Sequence, residues 1–271
     1  MAWNDAVRYV NKLFKNDQES QQQAKTGHQQ DGRMDAELPL RGRIGGVAKI
    51  QLSPLLEAQN NGSLITMPDD GEINIVAISR VNCSLTGQLY RYYLNKGENG
   101  LEKYLQLYCN QQGELSEILY CTGLCRIIPE TVEEQQIFTG EAGYGLGDAS
   151  FTLARAQIED LGWDSADLDK VFGTRDSLIY QRDIGDYAQS FIPPLQGTEI
   201  RIDDAKGEHG LRQDVVFMPY RRDLSATADK PEMLWISTET LQSQDGNRLR
   251  NRIHVDFTIA IPLDHERVQV L

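Results

Sequence analysis

The chain has 271 residues, enough to bury a substantial core as one large domain or as two modest ones. Its 40 acidic residues outnumber 27 basic ones, and the net charge of −13 argues against a nucleic-acid partner, because affinity for the phosphate backbone comes mainly from Lys and Arg. No apolar run in the sequence approaches the ~20 residues that a membrane span needs.

The cysteine content and the N-terminus both favour a reducing compartment. Four cysteines in a chain of this length form no dense disulfide framework. The first residues show no apolar segment followed by a small-residue cleavage site, so a secretory signal is not expected. We therefore expect a cytoplasmic protein.

Residues 1–15 predict an amphipathic helix. Its apolar residues recur at spacings of four, three and four along one face, and this candidate partner-binding face consists of Trp3, Val7, Val10 and Phe14. Three interpretations stay open: the helix folds back on the body, docks on another protein, or lies on a membrane surface. A membrane helix would carry more positive charge on its polar face.

A flexible tether and a folded body are expected to follow. Residues 16–37 are rich in Gln and almost without apolar side chains, so they cannot bury enough surface to become ordered. The body is expected over 38–271, with two candidate lobes at 38–128 and 148–271.

The first half of the body predicts mainly strands. Val47 to Leu52 is a candidate strand, and Ser53 to Ala58 a short helix with Pro54 in its first turn. The next candidate strand, Glu72 to Asn82, leads into three β-prone runs separated by Gly-rich polar breaks, which is typical of strands joined by hairpins. These runs are 89–94, 101–108 and 115–121.

Short helices are expected after this meander. Glu130 to Phe138 predicts one helix. Ala149 to Leu161 is compatible with a second, although Phe151 to Leu153 also fits the start of a strand. An acidic turn is expected from Trp163 to Asp169.

The C-terminal third returns to strand patterning. The candidates are 177–183, 215–221, 234–240, 252–261 and a short terminal strand at 268–270. In 252–261, branched and aromatic residues alternate with polar ones, so one face is expected in the core, and His254 falls on the outward phase. Together these elements predict an α+β protein, built mostly from antiparallel sheets with a few short helices.

The motifs that resemble functional sites have simpler structural interpretations. The glycine loop at 140–147 lacks the spacing of a dinucleotide or phosphate-binding loop and contains no Lys. Cys121 and Cys125 have a zinc-like spacing, but Cys83 and Cys109 stand alone, so ordinary buried thiols are favoured over a metal site or a redox pair.

Histidine and tyrosine give no catalytic set either. The four histidines, in positions 28, 209, 254 and 265, match no metalloprotease or hydrolase motif. The tyrosines of the meander are better interpreted as cross-strand packing than as a stacking platform for nucleic acid, because acidic residues surround them. We therefore predict no cofactor, no metal and no catalytic residue.

Two Tyr-x-Arg pairs are the remaining candidates for a ligand or partner surface. They are Tyr180 with Arg182 and Tyr220 with Arg222. Residues two apart in a strand share a face, so each pair would place a ring beside a guanidinium. A solvent-facing ladder with acidic partners is the alternative interpretation.

Several segments resemble the YjfK-like bacterial family, a domain of unknown function. They are the N-terminal helix and tether, LPLRGRIGG, the YRYYL and LQLYC runs, KVFG, IYQRD, the Pro-Pro connection, FMPYRRDL and the alternating last strand ending in VQVL. The resemblance covers roughly 38–271. It implies a family without an assigned activity, whose relatives look to be associated with envelope-stress proteins of the phage-shock type.

The leading functional hypothesis is a non-enzymatic accessory protein that recognises another protein, in keeping with a stress-response role. Two alternatives are a small-molecule-binding protein or unrecognised enzyme with a cleft between the lobes, and a peripheral membrane protein attached through the N-terminal helix. The sequence leaves the ligand and the oligomeric state open.

Overall fold

A computed structural model of the chain describes residues 33–95, 100–224, 230–241 and 252–271. The predicted N-terminal helix and most of the predicted tether lie outside these residues. Within the described part, no helix combines the length and apolar character needed to cross a membrane.

Strands dominate the described chain, and helices make up only 16% of it. The strands are β1 (Val47–Ile50), β2 (Glu72–Cys83), β3 (Gln88–Leu94), β4 (Lys103–Cys109), β5 (Leu115–Ile127), β6 (Ser150–Ala154), β7 (Ser177–Arg182), β8 (Leu195–Ile202), β9 (Gly210–Arg222), β10 (Glu232–Leu241), β11 (Arg252–Leu263) and β12 (Val268–Val270). The α-helices are α1 (Ser53–Asn60), α2 (Val132–Thr139), α3 (Arg155–Glu159) and α4 (Ser165–Phe172).

Eight of these strands close into an antiparallel barrel. Their order around it is β2, β3, β4, β5, β11, β10, β9, β8 and back to β2. Closure depends on β8, which pairs with β9 on one side and with β2 on the other. The prediction of an α+β fold is therefore wrong: the molecule is a closed β-barrel with four additional strands.

Both candidate lobes contribute to this one closed sheet. The first supplies β2 to β5, and the second supplies β8 to β11. The seam between them consists of two antiparallel pairings, β5 with β11 and β2 with β8.

The four additional strands extend the sheet outside the barrel. β1 lies between β12 and the first residues of β2. β7 pairs with the end of β9 and carries β6 on its other side. Both extensions are possible because β2 and β9 continue beyond the residues that pair with β8, and the extra residues pair with β1 and β7.

Much of the outer face of the barrel is apolar and covered, whereas Arg80, Ile200 and Arg212 are exposed on it. Phe257 of β11 contacts the rings of Phe138 in α2 and Phe151 in β6, with ring centroids 6.1 and 5.7 Å apart. On the other side, the Tyr92 hydroxyl donates to the Pro39 carbonyl over 2.6 Å. Burial of this face by peripheral elements supplies the main hydrophobic core.

The inner face of the barrel has two halves of different character. Towards one end, Phe217 and Trp235 stack with ring centroids 5.5 Å apart and fill the interior. Towards the other end the inward residues are polar and charged. The predicted outward position of His254 is wrong for this reason: the face opposite to the apolar one points into the closed barrel.

Two local predictions also change. Residues 33–37, placed in the tether, fold onto the body, because the buried Asp35 carboxylate accepts a hydrogen bond from the Ile44 N–H over 2.7 Å. The predicted acidic turn after Trp163 is largely replaced by α4, which buries Leu168 and Phe172. Spacings of three and four residues favour a helix there.

Candidate functional site

The polar half of the barrel interior contains a cavity of about 220 Å³ that opens at the end of the barrel. Its wall combines charged side chains, hydroxyls and aromatic rings. The lining residues that bear on the chemistry are Arg91, Tyr93, Glu102, Tyr104, Gly123, Arg126, Ser237, Glu239, Asp256 and Thr258. Convergence of polar groups in a concavity is the usual mark of a binding site.

The floor of the polar half is an ion pair between Arg91 on β3 and Glu199 on β8. Arg91 Nη1 donates to Glu199 Oε2 over 2.9 Å, and both side chains are almost fully buried. Because β3 and β8 both pair with β2, this contact crosses that strand on the inner face of the barrel. Arg91 Nε also donates to Gln106 Oε1 over 3.2 Å.

The carboxylate of Glu199 has hydrogen-bond donors on both of its oxygens. Besides Arg91, it accepts hydrogen bonds from Ser79, from the Tyr93 hydroxyl at 2.7 Å and from Gln213 Nε2 at 3.2 Å. Burial alone would raise the pKa of this carboxyl, but the Arg91 charge and these donors outweigh burial and lower it. Glu199 is therefore held ionised.

Glu239, His254 and Asp256 form a second cluster, nearer the open end. Glu239 faces His254 directly across β10 and β11, and Asp256 lies two residues further along β11 on the same face. His254 Nε2 lies 2.8 Å from Glu239 Oε2 and 4.0 Å from Asp256 Oδ2. Strand pairing thus places one imidazole and two carboxylates together.

Glu239 lies in an unfavourable electrostatic environment. Burial is the main cause that raises the pKa of its carboxyl, and the negative charges of Glu199 and Asp256 raise it further. The hydrogen bond from His254 and the charge of Arg91 offset this only in part. Among the described residues, Glu239 accepts a hydrogen bond from His254 alone.

The arginines of the open end are already paired with acids. The Arg126 guanidinium binds both oxygens of Asp256, with Nε–Oδ1 and Nη2–Oδ2 distances of 2.5 and 2.6 Å. Arg201 binds Asp203 and Glu102 and lies over the Tyr93 ring, 4.1 Å from its centroid. Because these cations are compensated, the excess charge facing the cavity is negative and centred on Glu239.

The Tyr-x-Arg candidates lie elsewhere and are all buried. Tyr180 and Tyr220 have no exposed surface, Arg182 is 1% exposed and Arg222 is 8% exposed. The structure therefore places none of the four on an accessible surface. Their polar atoms are bonded to protein groups.

Tyr180 and Arg222 meet in a cluster on the outer face of the barrel, around Glu232. This carboxylate accepts four hydrogen bonds, from Tyr180, Arg222, the Ser63 hydroxyl and the Leu64 N–H. The Arg222 guanidinium lies 5.4 Å from the centroid of the Tyr180 ring. The cluster thus joins the loop before β2 to strands β7, β9 and β10.

Arg182 and Tyr220 hold the glycine loop instead. Arg182 donates to the backbone carbonyls of Gly147, Ile184, Asp186 and Gln189. The Gly147 N–H donates to the Tyr220 hydroxyl over 3.0 Å. These hydrogen bonds anchor the glycine loop to the body.

The remaining candidates are the N-terminal partner-binding face and the four cysteines. The partner-binding candidates Trp3, Val7, Val10 and Phe14 lie outside the described residues. All four cysteines are free thiols, two buried and two half-buried.

Sequence reasoning missed the residues of the cavity, because each is an isolated polar residue in a strand. A signal was present: several strands carry polar or charged residues on the face opposite to their apolar one. Examples are Arg91, Gln106, Glu239 and Asp256. Such residues in most strands of one sheet indicate a polar interior, provided that the sheet closes.

Comparison with protein-family models, with curated proteins and with solved structures gives no match for this chain. The resemblance to the YjfK-like family therefore stays a prediction.

Proposed function

We propose that the protein binds a small cationic ligand in the open end of its barrel. The observation that carries this proposal is the buried carboxylate of Glu239, whose one hydrogen-bond partner in the described chain is His254, beside a hydrophilic cavity. An interior with a purely structural role would be filled with apolar side chains, as it is around Trp235.

The size of the cavity limits the ligand. Pockets for drug-sized molecules have volumes of about 300–1,000 Å³, and this cavity has about 220 Å³. A metal ion with its water molecules or a small amine fits this space. The charge of the wall favours cations, because Arg91, Arg126 and Arg201 are each bonded to an acid.

Gly123 offers a way to close the cavity without disturbing the barrel. A Cβ added there would lie 3.6 Å or more from its nearest neighbours, which is ordinary van der Waals contact. We therefore expect Gly123→Leu to fold and to fill the cavity. Ser150→Leu is the matched control, since it adds a leucine at an exposed position of β6.

The test is thermal unfolding of the full chain with panels of metal ions, small amines and small anions. A cation present at 100 times its dissociation constant adds about 2.7 kcal/mol to stability, since it binds only the folded state. The expected result is a rise in melting temperature of wild type and Ser150→Leu that Gly123→Leu loses. Equal stabilisation of all three proteins, or stabilisation by anions only, would contradict the proposal.

A protein-interaction role is the second candidate, and exposed apolar residues favour it. Ile128 and Val132, between β5 and α2, are 72% and 71% exposed. Truncation can test the N-terminal segment, but residues 33–37 pack on the body, so only 1–32 should be removed. A list of captured partners that is unchanged after this truncation would remove the N-terminal segment from the hypothesis.

A further inference from the structure

We infer that His254, Glu239 and Asp256 form a binding site for a divalent transition-metal ion of the zinc type. This inference rests on the proposed function, because it names the class of cation that the cavity takes.

The spacing of the three ligand atoms suits one metal ion. One nitrogen or oxygen from each residue lies within 4.8 Å of the other two. With bonds of about 2.0–2.2 Å from zinc to nitrogen or oxygen, two ligand atoms of one ion lie at most about 4.4 Å apart. The His254–Glu239 and His254–Asp256 distances of 2.8 and 4.0 Å already satisfy this limit.

The chemistry of the ligands selects the metal. An imidazole nitrogen suits Zn²⁺ and its first-row neighbours, whereas Mg²⁺ and Ca²⁺ prefer sites made of oxygen alone. Three protein ligands leave at least one coordination position for water or a second ligand, as in zinc sites that are not closed. Glu239 and Asp256 both line the cavity, so that position would face it.

A buried acceptor on the same wall is an independent sign of a missing partner. Gln213 lies on β9, one inward position beyond Val215, the residue that faces Glu239. Its side chain is buried, and its Oε1 has no hydrogen-bond partner among the described residues. Such an acceptor calls for a donor inside the barrel, and a water molecule there would provide it.

Binding requires one local change at His254 and leaves the Asp256–Arg126 bond in place. The hydrogen shared by His254 Nε2 and Glu239 Oε2 leaves to solvent, and the metal takes its place. Asp256 keeps its bond to Arg126, because each carboxylate oxygen has two lone pairs and Oδ2 can accept from Arg126 while it binds the ion.

The experiment is calorimetric titration of the full chain, stripped of metal with a chelator, with ZnCl₂, CoCl₂ or MgCl₂. We expect one Zn²⁺ per chain, binding of Co²⁺ with visible absorption bands of a nitrogen–oxygen site, and Mg²⁺ at least about 100-fold weaker. His254→Ala and Asp256→Asn should each weaken Zn²⁺ binding by more than about 10-fold. Circular dichroism shows whether each variant is folded, and one folded variant is enough for the test.

Two controls separate this site from its surroundings. Glu57→Gln removes an exposed carboxylate of α1 that lies outside the cavity, and it should leave Zn²⁺ affinity unchanged. The double variant His209→Ala, His265→Ala removes the other described histidines and should also have no effect.

Zn²⁺ binding that survives in folded His254→Ala would overturn the inference, and so would equal affinities for Zn²⁺ and Mg²⁺. If transition metals fail to bind wild type while an amine gives a stabilisation that Gly123→Leu removes, the metal assignment is wrong and the cation-binding proposal stands. If no cation of any kind stabilises wild type, both are wrong.

Discussion

Two buried glutamates on the same strand show how this barrel separates structure from binding. Glu232 begins β10 and points to the outer face, and Glu239, seven residues later, points inward. Glu232 accepts four hydrogen bonds from four different residues. Glu239 accepts one from the described chain and lies beside other carboxylates and a cavity.

The difference shows that a buried carboxylate can either stabilise the folded state or destabilise it, depending on its hydrogen-bond donors. A buried acid with every lone pair satisfied holds elements together, because removing any partner leaves a desolvated group behind. A buried acid without a full set of donors raises the free energy of the folded state unless a ligand supplies what is missing. The same substitution at the two positions should therefore have opposite effects.

The largest effect is expected for Glu232→Gln. This change leaves the Arg222 guanidinium buried without its counter-charge, and breaking a buried pair in this way costs about 3–5 kcal/mol. Urea unfolding should show this loss, while a folded variant should keep its Zn²⁺ affinity. A loss below about 1 kcal/mol would mean that the Glu232 cluster is not a structural anchor.

The half-buried Glu117 on β5 extends the comparison to pH. Burial, followed by the nearby charge of Asp183, raises its pKa from 4.5 to about 7. Between these values the folded protein holds a proton that the unfolded chain has lost, so stability falls as pH rises from about 4.5 to about 7. Glu117→Gln removes this fall and should stabilise the protein by about 1–3 kcal/mol at pH 8.

The measurement for Glu117 is urea unfolding of wild type and variant at pH 5 and pH 8. The variant should gain at pH 8 and differ little at pH 5. Asp183 has its own pKa raised to about 6, mainly by burial, so part of the pH dependence should remain in the variant. If Glu117→Gln and wild type differ in stability by the same amount at pH 5 and pH 8, Glu117 is not the source of the pH dependence.

The smallest and most informative effect is expected for Glu239→Gln in metal-free protein. The change removes a buried charge and its repulsion with Glu199 and Asp256, while the amide oxygen still accepts from His254. We expect a gain of about 1 kcal/mol at pH 8, opposite in sign to Glu232→Gln. Saturating Zn²⁺ should stabilise wild type but not the variant, and the stability advantage of Glu239→Gln over wild type should then disappear. A loss comparable to that of Glu232→Gln would remove the distinction between the two glutamates.

Much of the fold was visible in the sequence, but closure of the sheet was not. The alternation of Val255, Phe257 and Ile259 predicted a buried face, and that face is the covered outside of the barrel. The same alternation placed His254 on the outward phase, although it points into the barrel. A period of two residues distinguishes the two faces of a strand but not solvent from a polar interior.

The missing information is non-local. β8 follows the Pro-Pro connection and carries polar residues at half of its positions, so it has no strong strand pattern, yet its pairings with β2 and β9 close the barrel. Likewise, the sequence paired Tyr180 with Arg182 and Tyr220 with Arg222, whereas the structure places the Tyr180 ring beside the Arg222 guanidinium. Their burial depends on Glu232 and on the loop at Ser63, which are 52 and 117 residues away from Tyr180 along the chain.

The most direct measurement of the central claim is an anomalous diffraction map from crystals grown with Zn²⁺ and recorded at the zinc edge. We expect a peak inside the open end of the barrel, about 2.0–2.1 Å from His254 Nε2 and next to the Glu239 and Asp256 carboxylates. Peaks only at His209, His265 or exposed acids, with none inside the barrel, would contradict it.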